Sequence, residues 1–191
     1  MSRWTPGSRA RLQEAALDLF GERGYSATTT AAIAERAGVT DRTFYRHFKD
    51  KSEVLFGDED RIAQLLAGTV TASGSPVPVA LREALRALAA DFEPRRATMA
   101  RRAAVVEAIP DLAERELWKL LTLSQALADA IASRGVDEFA ARVQAEAALA
   151  LFRTAFQEWT HRVDPPSLDS LIDGAYAAAG AALAGQVTNV R

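Results

Sequence analysis

Side chains of the kinds that bind nucleic acid are concentrated between residues 28 and 51, on both sides of Gly38. Hydroxyl groups, histidine and lysine can hold phosphate oxygens, and arginine can donate two parallel hydrogen bonds to guanine. The candidates are Thr29, Thr30, Thr40, Arg42, Thr43, Tyr45, Arg46, His47 and Lys51. Their spacing predicts contact with nucleic acid, and a helix face that only meets solvent is the alternative interpretation.

One group of candidates is expected to bind phosphates. Tyr45, His47 and Lys51 follow one another closely, and phosphate contacts position a protein on DNA without reading its sequence. The hydroxyl of Thr29 or Thr30 is expected to add a phosphate contact at the N-terminus of a helix, where backbone N–H groups also favour anions.

The other group is expected to read base edges. Arg42, Thr43 and Arg46 precede or alternate with the anchoring positions of one predicted helix. Thr40 is a suitable N-cap for that helix, because its hydroxyl can accept a hydrogen bond from a backbone N–H in the first turn. Asp41 is expected to stabilise the helix N-terminus rather than to contact cytosine.

Two short helices joined by a tight turn would hold these side chains. The first, capped by a threonine, buries Ile33, and Gly38 then tolerates the left-handed conformation that turns the chain. The second is predicted from Asp41 to Phe48, with Phe44 and Phe48 facing inward. Two helices with this short turn form a helix-turn-helix, whose second helix enters the major groove of DNA.

The same segment resembles the DNA-binding domain of the TetR (tetracycline-repressor-like) transcriptional regulators. The shared pattern is G-Y-x-x-T-T-x-x-x-I-A-x-x-A-G-V-T-x-x-T-F-Y-x-H-F-x-x-K, from Gly24 to Lys51. The resemblance implies a repressor that binds a double-stranded DNA operator as a homodimer. It also implies that a small apolar or amphipathic effector binds the rest of the chain.

The remainder of the chain is predicted to be helical, because no segment alternates apolar and polar residues as a strand would. The predicted helices cover Leu12 to Phe20, Lys51 to Leu66, Leu81 to Phe92, Arg95 to Ala108, Asp111 to Arg134, Asp137 to Arg162, and a last helix capped by Ser167. The clearest loop is Thr71 to Pro78.

The predicted fold is therefore all-α with two domains. Residues 1–55 form an N-terminal three-helix helix-turn-helix DNA-binding domain. Residues 56–191 form a C-terminal helical domain for ligand binding and dimerisation, and the helix beginning at Lys51 is expected to connect the two.

Large apolar side chains are spread along the C-terminal helices and could line an effector pocket. They are Phe92, Met99, Trp118, Phe152, Phe156 and Trp159. Ordinary core packing is the alternative for each of them. A cluster of Arg95, Arg96, Arg101 and Arg102 either faces solvent or receives an anionic head group of the ligand.

The last two helices are rich in small residues, especially at 140–151 and 175–184. Small side chains allow helices to approach closely and leave more apolar surface than one partner helix covers. These helices are expected to form the homodimer, as in the family that the chain resembles. Alanine could also be present for its helix propensity alone.

Composition excludes several other classes of protein. The net charge is −2, although residues 1–55 carry 9 Lys/Arg against 7 Asp/Glu. Without cysteine and with two histidines, a three-ligand nitrogen or sulfur metal site is not available, and Glu158 with His161 occurs only once. We expect no metal and no cofactor.

Enzymes rank last among the candidate functions, because the chain has no nucleotide-binding, nucleophile-elbow or zinc-protease motif. No apolar run approaches the roughly 18 residues of a membrane span, and a cytoplasmic protein is expected. The second candidate, after a DNA-binding regulator, is a helical ligand-binding or scaffold protein that does not read DNA.

Overall fold

The computed structural model describes residues 7–187, and within that range the fold is all-α, as predicted. The helices are α1 Ser8–Arg23, α2 Thr30–Arg36, α3 Asp41–His47, α4 Glu53–Phe56, α5 Glu59–Ala72, α6 Val77–Phe92, α7 Arg96–Ala108, α8 Pro110–Ala132, α9 Glu138–His161 and α10 Leu168–Val187. One 3-10 turn, Glu93–Arg95, separates α6 from α7.

The chain divides into two compact units. The first unit takes the chain up to Glu59 together with Ala97–Leu117, and the second takes Asp60–Arg96 together with the chain from Trp118. The first unit thus includes most of α7 and the beginning of α8, in addition to the helix-turn-helix. A division of function between residues 1–55 and 56–191 stays a prediction.

The core of the first unit is built from the apolar faces of short helices that could not be stable alone. Leu12 of α1, Ile33 of α2 and Phe44 of α3 are completely buried together. Val106 of α7 and Leu112 of α8 belong to the same cluster. The helix-turn-helix is therefore packed on later helices of the chain as well as on α1.

The prediction of one continuous helix from Lys51 is wrong, because α4 ends at Phe56 and α5 begins at Glu59. Arg9 holds the intervening turn: its guanidinium donates to the Gly57 carbonyl at 2.7 Å and to the Asp58 carboxylate at 3.1 Å. A Cβ at residue 57 would lie 2.6 Å from the same guanidinium. This turn depends on a residue distant in sequence, so local periodicity could not reveal it.

The loop predicted from Thr71 to Pro78 is shorter in the structure, where α5 extends to Ala72 and α6 begins at Val77. Pro78 lies in the first turn of α6, where a missing N–H removes no helical hydrogen bond. The loop itself is ordered by Glu83, whose carboxylate accepts hydrogen bonds from the hydroxyls of Ser73 and Ser75.

The second unit is a bundle in which α10 packs on α9 and α6. The helix α9 begins and ends within a residue of its predicted bounds. Ser167 caps α10, as predicted, by accepting from the N–H of Ser170 at 3.2 Å. Arg86 of α6 bridges Asp169 and Asp173 of α10. No helix in the described residues is long and apolar enough to cross a membrane.

Candidate nucleic-acid interface

Two threonines lie at the N-terminus of α2, as expected, and one of them caps the helix. The Thr29 hydroxyl caps α2 by accepting from the N–H of Ala32 at 3.1 Å. The hydroxyl of Thr30 lies 3.0 Å from that of Tyr45, which is exposed on α3. This hydrogen bond brings two predicted phosphate-binding groups from different helices to one place.

The recognition helix α3 is capped and anchored as predicted. Gly38 has φ 65° in the turn before it, and the Thr40 hydroxyl accepts from the N–H of Thr43 at 3.2 Å. Phe44 and Phe48 are buried with their ring centroids 5.7 Å apart. These anchors fix which side of α3 faces away from the core.

Arg42 and Arg46 extend from the opposite side of α3 and are exposed. Among the described residues, neither guanidinium has a hydrogen-bond or ion-pair partner. Thr43, between them, is half-buried and its hydroxyl lies 3.1 Å from that of Thr40. Guanidinium groups in this state can donate to phosphate or guanine without first breaking a bond within the protein.

His47 differs from these arginines, because its ring already has a partner. Its Nε2 lies 2.8 Å from the hydroxyl of Ser8, at the beginning of α1. Partial burial, together with the positive charges of Arg46 and Arg9, lowers the pKa of His47 below its ordinary value. A phosphate near the ring would act in the opposite direction.

The ammonium of Lys51, predicted to bind phosphate, already has hydrogen-bond partners within the protein. Its ammonium donates to the carbonyls of Tyr25 at 2.8 Å, Ser26 at 3.3 Å and Thr28 at 3.0 Å. The Nζ also lies 4.3 Å from the centre of the Tyr25 ring. Since these bonds use all three donors of the ammonium, a phosphate would have to displace a carbonyl.

Arg9 is a residue of this region that sequence reasoning missed. Besides holding the Gly57 turn, its guanidinium lies 4.7 Å from the centre of the Phe48 ring and its Nη1 donates to the carbonyl of His47 at 3.5 Å. It therefore joins α1 to the end of α3. No motif marked it, because its partners are more than 35 residues away.

Comparison with known proteins agrees with this geometry. Residues 12–56 match the bacterial regulatory proteins of the tetR family, and residues 75–184 match the MftR C-terminal domain. The transcriptional regulator TcmR of Streptomyces glaucescens is 34% identical over 169 residues, covering 82% of this chain and 75% of TcmR. The chain belongs to the TetR family.

Two further matches are either shorter or lower in sequence identity, and both are to transcriptional regulators. The regulator YvkB of Bacillus subtilis is 49% identical over 45 residues, so the match spans 24% of each protein. A putative transcriptional regulator from Pseudomonas aeruginosa PAO1 has the same fold, with a TM-score of 0.65, 19% identity and coverage of 100% of this chain and 97% of that one. The protein is thus a DNA-binding transcriptional regulator, in a family of regulators rather than enzymes.

In this TetR-family chain, four of the six predicted effector residues lie together in the second unit. Phe156 lies 5.7 Å from Phe92, 6.0 Å from Phe152 and 5.8 Å from Trp159, measured between ring centroids. Phe156 is half-buried and the other three are buried. We call these four residues the aromatic cluster.

The other two predicted effector residues lie apart from the aromatic cluster. Met99 is half-buried on α7 and belongs to the first unit. Trp118, on α8 in the second unit, is 64% exposed and has no ring contact with the cluster. Spacing along the sequence could not separate these positions from those of the cluster, because helix faces are set by tertiary packing.

The predicted cluster of four arginines is not one site. Arg101 bridges Glu14 and Asp18 of α1. Arg102 pairs with Glu116 at 2.5 Å. These two belong to the first unit, whereas the remaining two, Arg95 and Arg96, belong to the second.

Proposed function

We propose that the protein is a homodimeric repressor that binds a palindromic operator and is released by a small apolar or amphipathic effector. The observation that carries the DNA-binding part is α3 itself, on which Arg42 and Arg46 are exposed and unpartnered while Phe44 and Phe48 fix the orientation of the helix. A helix held in this way can enter the major groove with its arginines toward the bases.

We assign the candidate residues to two kinds of DNA contact. Arg42, Thr43 and Arg46 read bases, and the hydroxyls of Thr30 and Tyr45, 3.0 Å apart, bind one phosphate group between them. The N-terminus of α2, capped by Thr29, contributes to the same anion site, and Thr40 positions α3. A phosphate at His47 would compete with the hydrogen bond to Ser8, and one at Lys51 would compete with the bonds to backbone carbonyls.

The homodimer is proposed to form through α9 and α10. On α9, Phe139 is 69% exposed and Val143 is half exposed. On α10, the small residues Gly174, Ala177 and Ala181 lie on one exposed stripe with nothing within 4 Å of the position of a Cβ at Gly174. An apolar face of this kind is suited to a symmetry-related copy of itself, which makes an isologous interface.

The effector is proposed to bind at the aromatic cluster. Buried aromatic side chains with one half-buried member, Phe156, offer an apolar wall that a ligand can reach from one side. Binding there would act on DNA by favouring a separation of the two recognition helices other than one DNA turn, about 34–36 Å. A coupling of about 1–3 kcal/mol would lower operator affinity about 5- to 150-fold.

The test of the DNA-binding proposal begins with selection of binding sites from a random pool of duplexes. We expect the selected sites to be inverted repeats, and sedimentation of the complex to give two chains for each duplex. Selection of a single unrepeated half-site, or binding with no sequence preference, would contradict the palindromic operator. The second outcome would favour a helical ligand-binding protein that does not read DNA.

The test of the effector site uses Phe156→Ala, since Phe156 is the least buried member of the cluster. We expect operator affinity without effector to stay near wild type and the release caused by effector to weaken. Equal loss of DNA binding with and without effector would show that the cluster is structural core only.

A further inference from the structure

The indole N–H of Trp159 has no hydrogen-bond acceptor within residues 7–187. The side chain is 0% exposed, so the group is not open to bulk solvent. Buried donors in folded proteins nearly always have a partner, because an unsatisfied one disfavours the folded state. A partner from outside the chain would remove this deficit.

A single trapped water is a poor candidate for that partner. A buried water makes about three hydrogen bonds to polar groups, whereas the ring of Trp159 packs against that of Phe156, which in turn contacts Phe92 and Phe152. An acceptor that belongs to a larger, partly apolar molecule needs only the one bond and gains apolar contact with the same rings.

A positive charge lies over the ring of the same residue. The guanidinium of Arg96 is centred 5.9 Å from the Trp159 ring. Its Nε donates to the Trp159 carbonyl at 3.2 Å and its Nη2 to the Arg162 carbonyl at 2.5 Å. These bonds hold the group at the C-terminal end of α9 and leave Nη1 as a further donor.

The hydrogen-bond partners of Arg96 differ from those of the arginines near it in sequence. Arg95 pairs with the carboxylate of Asp91, and Arg101 and Arg102 also pair with carboxylates. Arg96 has only carbonyl partners among the residues that the structure describes. A buried N–H donor and a fixed cation without a carboxylate both favour an acceptor that carries negative charge.

We propose that the ligand of the second unit is an anionic amphipath whose carboxylate is bound by the Trp159 N–H and the Arg96 guanidinium. Its apolar body lies against Phe92 and Phe156, whose ring centroids are 5.7 Å apart. The proposal rests on the proposed function only in calling this ligand the effector, because binding itself does not require DNA.

The experiment measures ligand binding to the full chain without DNA, by isothermal titration calorimetry. The probes are octanoate, decanoate and naphthoate, each compared with its own methyl ester, which keeps an acceptor but has no charge. We expect at least one carboxylate to bind about tenfold more tightly than its ester, since a charge-assisted hydrogen bond is about twice as strong as a neutral one.

Two variants separate the two anchors. Arg96→Gln should weaken that carboxylate about tenfold and leave the ester unchanged, whereas Trp159→Phe should weaken both, because it removes the donor that they share. The matched control is Arg153→Gln, at an exposed arginine of α9 that takes no part in the proposed site. It should bind both probes like the wild type.

The proposal is overturned if no carboxylate is preferred over its ester, or if Arg96→Gln keeps wild-type affinity for the preferred carboxylate. Thermal melting shows whether Trp159→Phe is folded, and if it is not, Arg96→Gln, at a half-exposed position, decides alone. Failure of operator selection with success here would remove the regulatory function but keep the site. The reverse result would remove the site alone.

Discussion

Two arginine-rich segments of this chain have opposite roles in the structure. On α3, Arg42 and Arg46 are exposed and have no partner among the described residues. On α7, Arg101 bridges Glu14 and Asp18, and Arg102 pairs with Glu116 while donating to the Leu55 carbonyl at 2.7 Å. The first pair is available to DNA, and the second holds α7 to the rest of the first unit.

This difference shows that a cluster of arginines indicates DNA binding only when the structure shows that they are not paired with carboxylates. A guanidinium that is already paired with a carboxylate adds little to counterion release on DNA. An unpartnered one on a rigid helix has no internal bond to lose. Removal of a paired basic group should therefore lower stability, and removal of an unpartnered one should change DNA recognition.

The largest effect is expected for Arg102→Ala. The Arg102 side chain is 11% exposed, and its guanidinium also lies 5.1 Å from the centre of the Phe56 ring. This substitution leaves the partly buried carboxylate of Glu116 without the Arg102 charge, so we expect a loss of about 3 kcal/mol in the free energy of unfolding. The exposed Arg101→Ala is the control and should cost at most about 1 kcal/mol. Urea denaturation measures both, and equal losses would show that the burial of Arg102 has no energetic weight.

Lys51→Ala should lower stability by about 2 kcal/mol, because it removes three hydrogen bonds from a charged donor to backbone carbonyls. Lys49→Ala should leave stability unchanged, since Lys49 is exposed and its side chain has no partner among the described residues. Thermal melting without DNA and salt titrations with operator are the measurements. If Lys51→Ala melts like the wild type and flattens the salt dependence by about one unit, Lys51 is the phosphate contact predicted from sequence.

Arg42→Ala should relax discrimination at one operator base pair by about 1–3 kcal/mol and leave stability unchanged. The control is Arg36→Ala, which removes the same charge from α2, where Arg36 pairs with Glu22 at 2.8 Å. Site selection with each variant gives the base preferences. Unchanged preference at every position in Arg42→Ala would remove this residue from the groups that read bases.

The smallest effect concerns pH. Since the pKa of His47 is lowered in the free protein, a phosphate contact would raise it again and DNA binding would take up a proton. Operator affinity should then rise as pH falls through the bound-state pKa and level off below the free-state pKa, and His47→Gln should lack this rise. Without DNA, the free energy of unfolding should fall as pH drops below about 6.5, because the unfolded chain takes up the proton first. A pH profile of His47→Gln that matches the wild type would exclude the phosphate contact.

The parts that the sequence predicted correctly are those decided locally. The caps at Thr29 and Thr40, the turn at Gly38 and the inward position of Phe44 all depend on residues a few positions apart. The bounds of α9 and the start of α10 were predicted for the same reason, from glycine, proline and capping residues.

The parts that sequence did not reveal depend on contacts between distant residues. Arg9 interrupts the helix predicted from Lys51, and the three carbonyls that bind Lys51 lie more than 20 positions before it. The pairing of Arg101 and Arg102 with carboxylates likewise requires the packed helices. Residue type identified candidates for DNA binding, but only the fold shows which of them are unpartnered.

The most direct measurement is operator affinity of two double variants that remove the same charge. Arg42→Ala with Arg46→Ala should lower affinity about 100-fold or more, because each guanidinium contributes about 1–3 kcal/mol in the groove. Arg95→Ala with Arg101→Ala, in which both residues are paired with carboxylates, should change affinity less than about threefold when the protein is folded. An equal loss in both would mean that overall charge, and not the exposed face of α3, determines DNA binding.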